Sequence, residues 1–145
     1  MGIIDYHTGL GPWGYGERIV SHLPGSAGYG RAKAWWGEAV TCPAAGDSTS
    51  AAITGDGLDA APGLLAHAEV TGMAIEVGTL SLQAVLLALR ADAWLHAHGD
   101  PRSPEATPIK RQIRDAFYGD ADDWKGMVAG QSLLAMRQAI ASLAL

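Results

Sequence analysis

The pattern of apolar and polar positions divides the chain near Gly78. After that point apolar residues recur at helical spacing. Ser81 can cap a helix whose positions Leu82, Val85, Leu86, Leu89 and Ala93 form one stripe. It should end around His98-Gly99, with Pro101 and Pro104 beyond. A second helix is predicted from about Pro108 to Phe117, with Ile109, Ile113 and Phe117 in line. Asp120, Asp122 and Asp123 then offer carboxylates to the N-terminus of a last helix, from about Trp124 to Leu143. Gly126 and Gly130 weaken its first half by roughly 1 kcal/mol each relative to alanine.

Before Gly78 short apolar runs alternate with the glycine-rich stretches GLGPWGYG, GSAGYG and TGDG. Ile3 to His7 is a β-rich run stopped by Gly9 and Gly11. Glu17 to His22 alternates weakly and could be a strand or a helical turn. Ala34-Trp35-Trp36 closes a short helix begun after Gly28, Glu38 to Thr41 reads as extended, and residues 42–57 read as loop. Val70 to Val77 is mostly apolar without helical periodicity, as expected of a strand buried on both faces. Strands followed by helices predict an α/β layer structure.

A length of 145 residues suits one domain, 1–145, and 48% apolar against 17% charged residues can support a core. Ten Lys and Arg against fifteen Asp and Glu give a net charge of −5, without any basic block, which argues against a nucleic-acid partner. The single cysteine, Cys42, excludes an internal disulfide. The opening MGIIDYHTGLG lacks the basic flank and apolar run of a secretory signal. Arg90, Asp92 or glycine interrupts every apolar stretch within about 18 residues, so no membrane segment is expected. These features predict a mildly acidic, cytoplasmic globular chain.

Two strand ends carry candidate chemistry. Asp5 and His7 are two residues apart, so a strand turns both side chains to one face. That arrangement suits a metal-binding imidazole with a carboxylate orienting it, although spacing alone favours a surface histidine beside a turn-forming aspartate. Glu76 lies inside an otherwise apolar run, where a carboxylate needs a partner or a task. Partial burial would suit it to general-base work, whereas an edge strand would simply turn it to water. His96 and His98 fit a solvated helix end, and His22 and His67 lack convergent partners. Cys42 has no activating base nearby in sequence. Trp13, Tyr15, Trp35, Trp36 and Trp94 read as packing, and GLGPWGYG lacks the residues of a phosphate loop.

The segments IIDYHTGLGPWGYGE, GMAIEVGT, ALRADAWLHAHGD and IKRQIRDAFY resemble the C-terminal half of a bacterial group of zinc-carboxypeptidase-like proteins that carries only a domain-of-unknown-function label. The resemblance covers nearly the whole chain and is least distinctive over 23–66. It implies a partial mixed sheet with helices packed on it and a helical C-terminal third. In the wider clan D-x-H-T resembles the site of the third zinc ligand, which falls on His7, and E-x-G resembles that of the catalytic glutamate, which falls on Glu76. The aspartoacylase and succinylglutamate desuccinylase branch has similar motifs, so peptides and N-acyl amino acids are both implied as substrates.

The implied chemistry is zinc-assisted amide hydrolysis with Glu76 moving the proton, and Asp5 at most orienting the metal site. Two departures stand out. The resembled proteins take their first two zinc ligands from an H-x-x-E motif and clamp substrate with an arginine of an N-R motif. No histidine here is followed by glutamate three residues later. One imidazole does not hold zinc tightly where a catalytic site uses three protein ligands. The expectation is therefore a portion of a hydrolase, inactive and with weak or absent zinc binding by itself. It would be completed by a missing N-terminal half. The competing expectation is a non-catalytic remnant that binds a partner or forms a homodimer through an exposed sheet edge.

Overall fold

The computed structural model describes residues 1–144 and is α/β, with a three-stranded mixed sheet and five helices. The strands are β1 (Gly2–Gly9), β2 (Gly16–Ile19) and β3 (Thr71–Gly78). They lie in the order β1-β3-β2, with β1 parallel and β2 antiparallel to the central β3. The helices are α1 (Ala27–Trp36), α2 (Gly57–Leu64), α3 (Leu82–His98), α4 (Ala106–Phe117) and α5 (Asp122–Leu143). No described helix is long and apolar enough to cross a membrane.

Alternation along β3 explains the layering. Met73, Ile75 and Val77 turn to one face and join Trp36 of α1 and Trp124, Ala135 and Ala139 of α5 in the main core. Trp36 is fixed there because its indole N–H donates to the Ala135 carbonyl at 3.1 Å. Gly72, Ala74 and Glu76 turn the opposite way, toward the long connection between α1 and β3. A smaller core of Val85, Ala88 and Ala116 joins α3 to α4, with Ile113 and Phe117 packed against it.

The helix boundaries follow the predicted signals closely in the second half. Ser81 accepts a hydrogen bond from the Ala84 N–H and caps α3. Asp122 and Asp123 sit in the first turn of α5, where the helix dipole favours them.

Three expectations change. Residues Glu38 and Ala39 form a turn rather than a strand, and only Thr41 bridges in parallel to Ile19. The stretch read as loop holds a 3-10 turn at Pro43–Ala45 and leads into the unforeseen α2, capped by the Asp56 carboxylate. On α3 the buried line is Val85, Ala88 and Leu95, while Leu82, Leu86 and Leu89 of the predicted stripe are exposed. Packing against α4 alone covers a narrower strip than the apolar pattern provides.

Candidate functional site

β1 and β3 pair in a register that sets His7 directly beside Glu76, and Asp5 beside Ala74. On the other side of β3, Glu17 of β2 is also opposite Glu76. Residues in such a row share a face of the sheet, with neighbouring strands about 4.8 Å apart. His7, Glu76 and Glu17 therefore form one polar row across the sheet.

Their environments differ. His7 and Asp5 are both about half exposed, and His7 Nε2 lies 2.9 Å from Asp5 Oδ2. Glu76 is 9% exposed and accepts a hydrogen bond from the Leu10 N–H at 2.9 Å on Oε1. Burial raises its carboxyl above the ordinary value, with Glu17 adding to the rise and the Leu10 N–H and His7 opposing it. Glu17 is 5% exposed, yet its carboxyl lies below the ordinary value. Burial pushes it up, but hydrogen bonds from Thr41, Thr49 and Ser48 outweigh that push. Thr41 Oγ1 donates at 2.6 Å, the Thr49 N–H donates to both carboxylate oxygens, and the Thr49 hydroxyl donates to Oε2.

The two glutamates thus have opposite characters. Glu17 is an ionised anchor that ties the 48–50 segment to the sheet. Glu76 is a carboxyl whose proton affinity has been raised. Nothing in the pattern around Glu17 singles it out in sequence, because its partners come from a serine- and threonine-containing loop about thirty residues away.

The loop after β1 supplies the Leu10 N–H because it is pressed onto the end of β3. A Cβ at Gly78 would lie 2.0 Å from the Pro12 carbonyl oxygen and 2.3 Å from that of Gly11, so only glycine admits this approach. Gly14 N–H donates to the Gly78 carbonyl, and Gly78 N–H to that of Tyr15. Trp124 donates to the same Gly78 carbonyl, and Trp13 donates to Asp123. The glycine-rich loop with Trp13 and Tyr15 therefore serves to hold Leu10 over Glu76.

Asp5, His7, Ala74 and Glu76 form one wall of a cavity of about 420 Å³. Ile19, Val20 and Leu23 lie on the β2 side, and residues 50–54 with the start of α2 face them. The remaining histidines stand apart from this cavity. His22 is wedged where a Cβ on Gly28 would collide with it, and its Nε2 accepts from the Gly72 N–H at 3.4 Å. Burial and the nearby Arg31 charge lower its proton affinity. His96 faces Asp92 and Lys110 between α3 and α4, His98 stacks near Trp94, and His67 is exposed. Cys42 is buried, with its thiol 3.6 Å from the His22 carbonyl oxygen, so it is part of the core.

Among the described residues no group of three or more His, Cys, Asp or Glu is placed to hold a metal ion. His7 is the one imidazole on this wall, so the donors of the described residues do not by themselves fit a zinc centre.

The arrangement defines an α/β protein with a raised-affinity carboxyl and an Asp–His pair on one wall of a mainly apolar cavity. Residues 1–131 match the family described as Protein of unknown function (DUF2817), and the chain belongs to that family. No curated protein and no solved structure matches it.

Proposed function

We propose that this chain carries part of an amide-bond hydrolase site, of the carboxypeptidase-like or N-acyl-amino-acid deacylase kind. The observation that carries the reading is the register of His7 beside Glu76 on the wall of one cavity, with the Glu76 proton affinity raised by burial. Glu76 is assigned the proton: it takes one from an attacking water and returns it to the leaving amine. Asp5 holds the His7 ring through the 2.9 Å contact. In the resembled proteins zinc supplies the polarisation of the carbonyl, and His7 would be one of its donors. The others are not among the described residues, so the isolated chain is expected to be inactive and to bind zinc weakly or not at all.

The test begins with the genomic DNA upstream, read in frame for an H-x-x-E and an N-R motif. Where they are found, the joined protein should hydrolyse peptides or N-acyl amino acids in a zinc-dependent way. Glu76→Gln should then lower kcat by about 10²- to 10⁴-fold. Unchanged turnover in that variant would remove Glu76 from the mechanism. Stoichiometric zinc retained by the isolated chain after dialysis against a chelator would overturn the incomplete-site reading.

A second reading has its own observation. Among the described residues β1 has a strand neighbour on one side only, and Leu133, Met136, Ile140 and Leu143 of α5 are exposed. These features favour a non-catalytic module that self-associates, and absence of the upstream motifs would support it.

A further inference from the structure

The cavity beside Glu76 has an electrostatic composition that restricts what it can hold. Four carboxylates line it, those of Asp5, Glu76, Asp56 and Asp59, and no lysine or arginine does. The rest of its lining is largely aliphatic, including Ile19, Val20, Leu23, Ile53 and Leu58. Its volume of about 420 Å³ is that of a small-ligand pocket. An entering anion would lose hydration and meet like charges without a compensating cation. The N-terminus of α2, which lines the cavity, is already taken. Asp56 Oδ1 accepts from both the Leu58 and Asp59 N–H groups at 2.9 Å. His7 is in turn engaged by Asp5.

We infer that this cavity is a specificity pocket for an uncharged aliphatic group of the substrate, and that it rejects a second carboxylate there. The inference rests on reading the Glu76 wall as the hydrolytic site, and it divides the substrates open to that site. Amides bearing a leucine-like side chain or a short acyl chain fit. Acidic acyl groups, such as an aspartyl or succinyl moiety, do not fit this pocket.

Binding decides the matter without requiring turnover. The full chain is titrated with N-acetyl-leucine amide, with its acidic counterpart N-acetyl-glutamate α-amide (the acid, its carboxylate on the side chain) and with N-acetyl-lysine amide. Calorimetry gives the affinities and the backbone NMR shifts of Ala74 and Leu58 locate the site. The expected result is saturable binding of the leucine amide, with the acid at least about tenfold weaker. Ala74→Leu, which fills the floor beside Glu76, should abolish it. Should that variant misfold, Asp59→Lys at an exposed position of α2 should narrow the gap between amide and acid. Equal or tighter binding of the acid overturns the inference, as does preference for the lysine amide or no binding of any probe. Leucine amide that binds normally but is not hydrolysed by the joined protein defeats the hydrolase reading and leaves the pocket standing.

Discussion

Glu76 and Glu17 stand opposite each other across β2 and β3, and their surroundings drive their proton affinities apart. Glu76 has one backbone N–H for partner, whereas Glu17 has hydroxyls and an amide converging on both oxygens. With its folded value raised above 4.5, Glu76 favours the fold while protonated and loses that contribution as pH rises through the raised value. Glu76→Gln keeps an oxygen for the Leu10 N–H and removes the buried charge. Its melting temperature should therefore exceed the parent's at pH 7, and the gain should vanish below about pH 4.5, where both states of the parent carry the proton. A thermal denaturation series over pH 4–8 checks this. A variant less stable than the parent at neutral pH would show that the ionised carboxylate is supported by the fold. At this scale the sequence was informative about Glu76, Asp5 and His7, because a charge in an apolar run and a two-residue spacing are local signals. Glu17 was not visible, since its importance comes from Thr41 and Thr49, which only the folded chain brings to it.

The same residue governs an element. The wall formed by residues 50–54 begins where Thr49 is tied to Glu17, and two residues earlier Asp47 accepts from the Cys42 N–H at 2.7 Å. Glu17→Ala leaves Thr41 and Thr49 without their acceptor in a part-buried place, a loss of about 2 kcal/mol. Because the folded carboxyl lies below its ordinary 4.5, the parent's stabilisation is present above that pH and lost as pH falls through the lowered value. Hydrogen exchange at Thr49 and Ser50 should accelerate in the variant, while that of β3 changes only with global stability. Unchanged protection at Thr49 would mean that the segment is held by other contacts. The elements most legible in sequence were those with a cap and a period, such as α3 behind Ser81. α2 was hidden because Gly57, Pro62 and Gly63 all argue against a helix. What overrides them is the Asp56 cap and the packing of Leu58 over Gly72, where a Cβ would come within 2.9 Å of its side chain. That glycine and that leucine are fourteen residues apart in sequence, so propensity alone did not reveal the helix.

At the scale of the molecule the two sheet edges differ. The outer side of β2 is covered at its end, where Val20 N–H donates to the Thr41 carbonyl and Thr41 N–H to that of Arg18. β1 has no strand on its outer side among the described residues. The Met1 carbonyl accepts from the Thr71 N–H of β3, so the odd-numbered residues of β1 turn their backbone groups inward. Gly2, Ile4, Tyr6 and Thr8 turn theirs outward. An edge of this kind is a template for pairing. A second copy would pair with it in antiparallel register about a two-fold axis at Tyr6, which would set Asp5 opposite the partner's His7 and His7 opposite the partner's Asp5. In that register each Asp5 carboxylate meets the partner's His7 as acceptor to donor, and such cross-strand polar pairs favour it. Leu143 of α5 lies against Gly2 at one end of this edge and is itself exposed, so it adds apolar area there. The net charge of −5 opposes association, but only modestly at physiological salt. The expected outcome is a symmetric dimer in sedimentation equilibrium. Tyr6→Pro should make it monomeric without unfolding it, because the N–H it removes faces outward. His7→Asp places like charges across the axis and should weaken the dimer about tenfold. A strictly monomeric parent at high micromolar concentration would refute the pairing, and so would a dimer that survives Tyr6→Pro with its circular dichroism unchanged. In the first case β1 would be an edge that the molecule tolerates, with the exposed Asp5 carboxylate keeping other strands away.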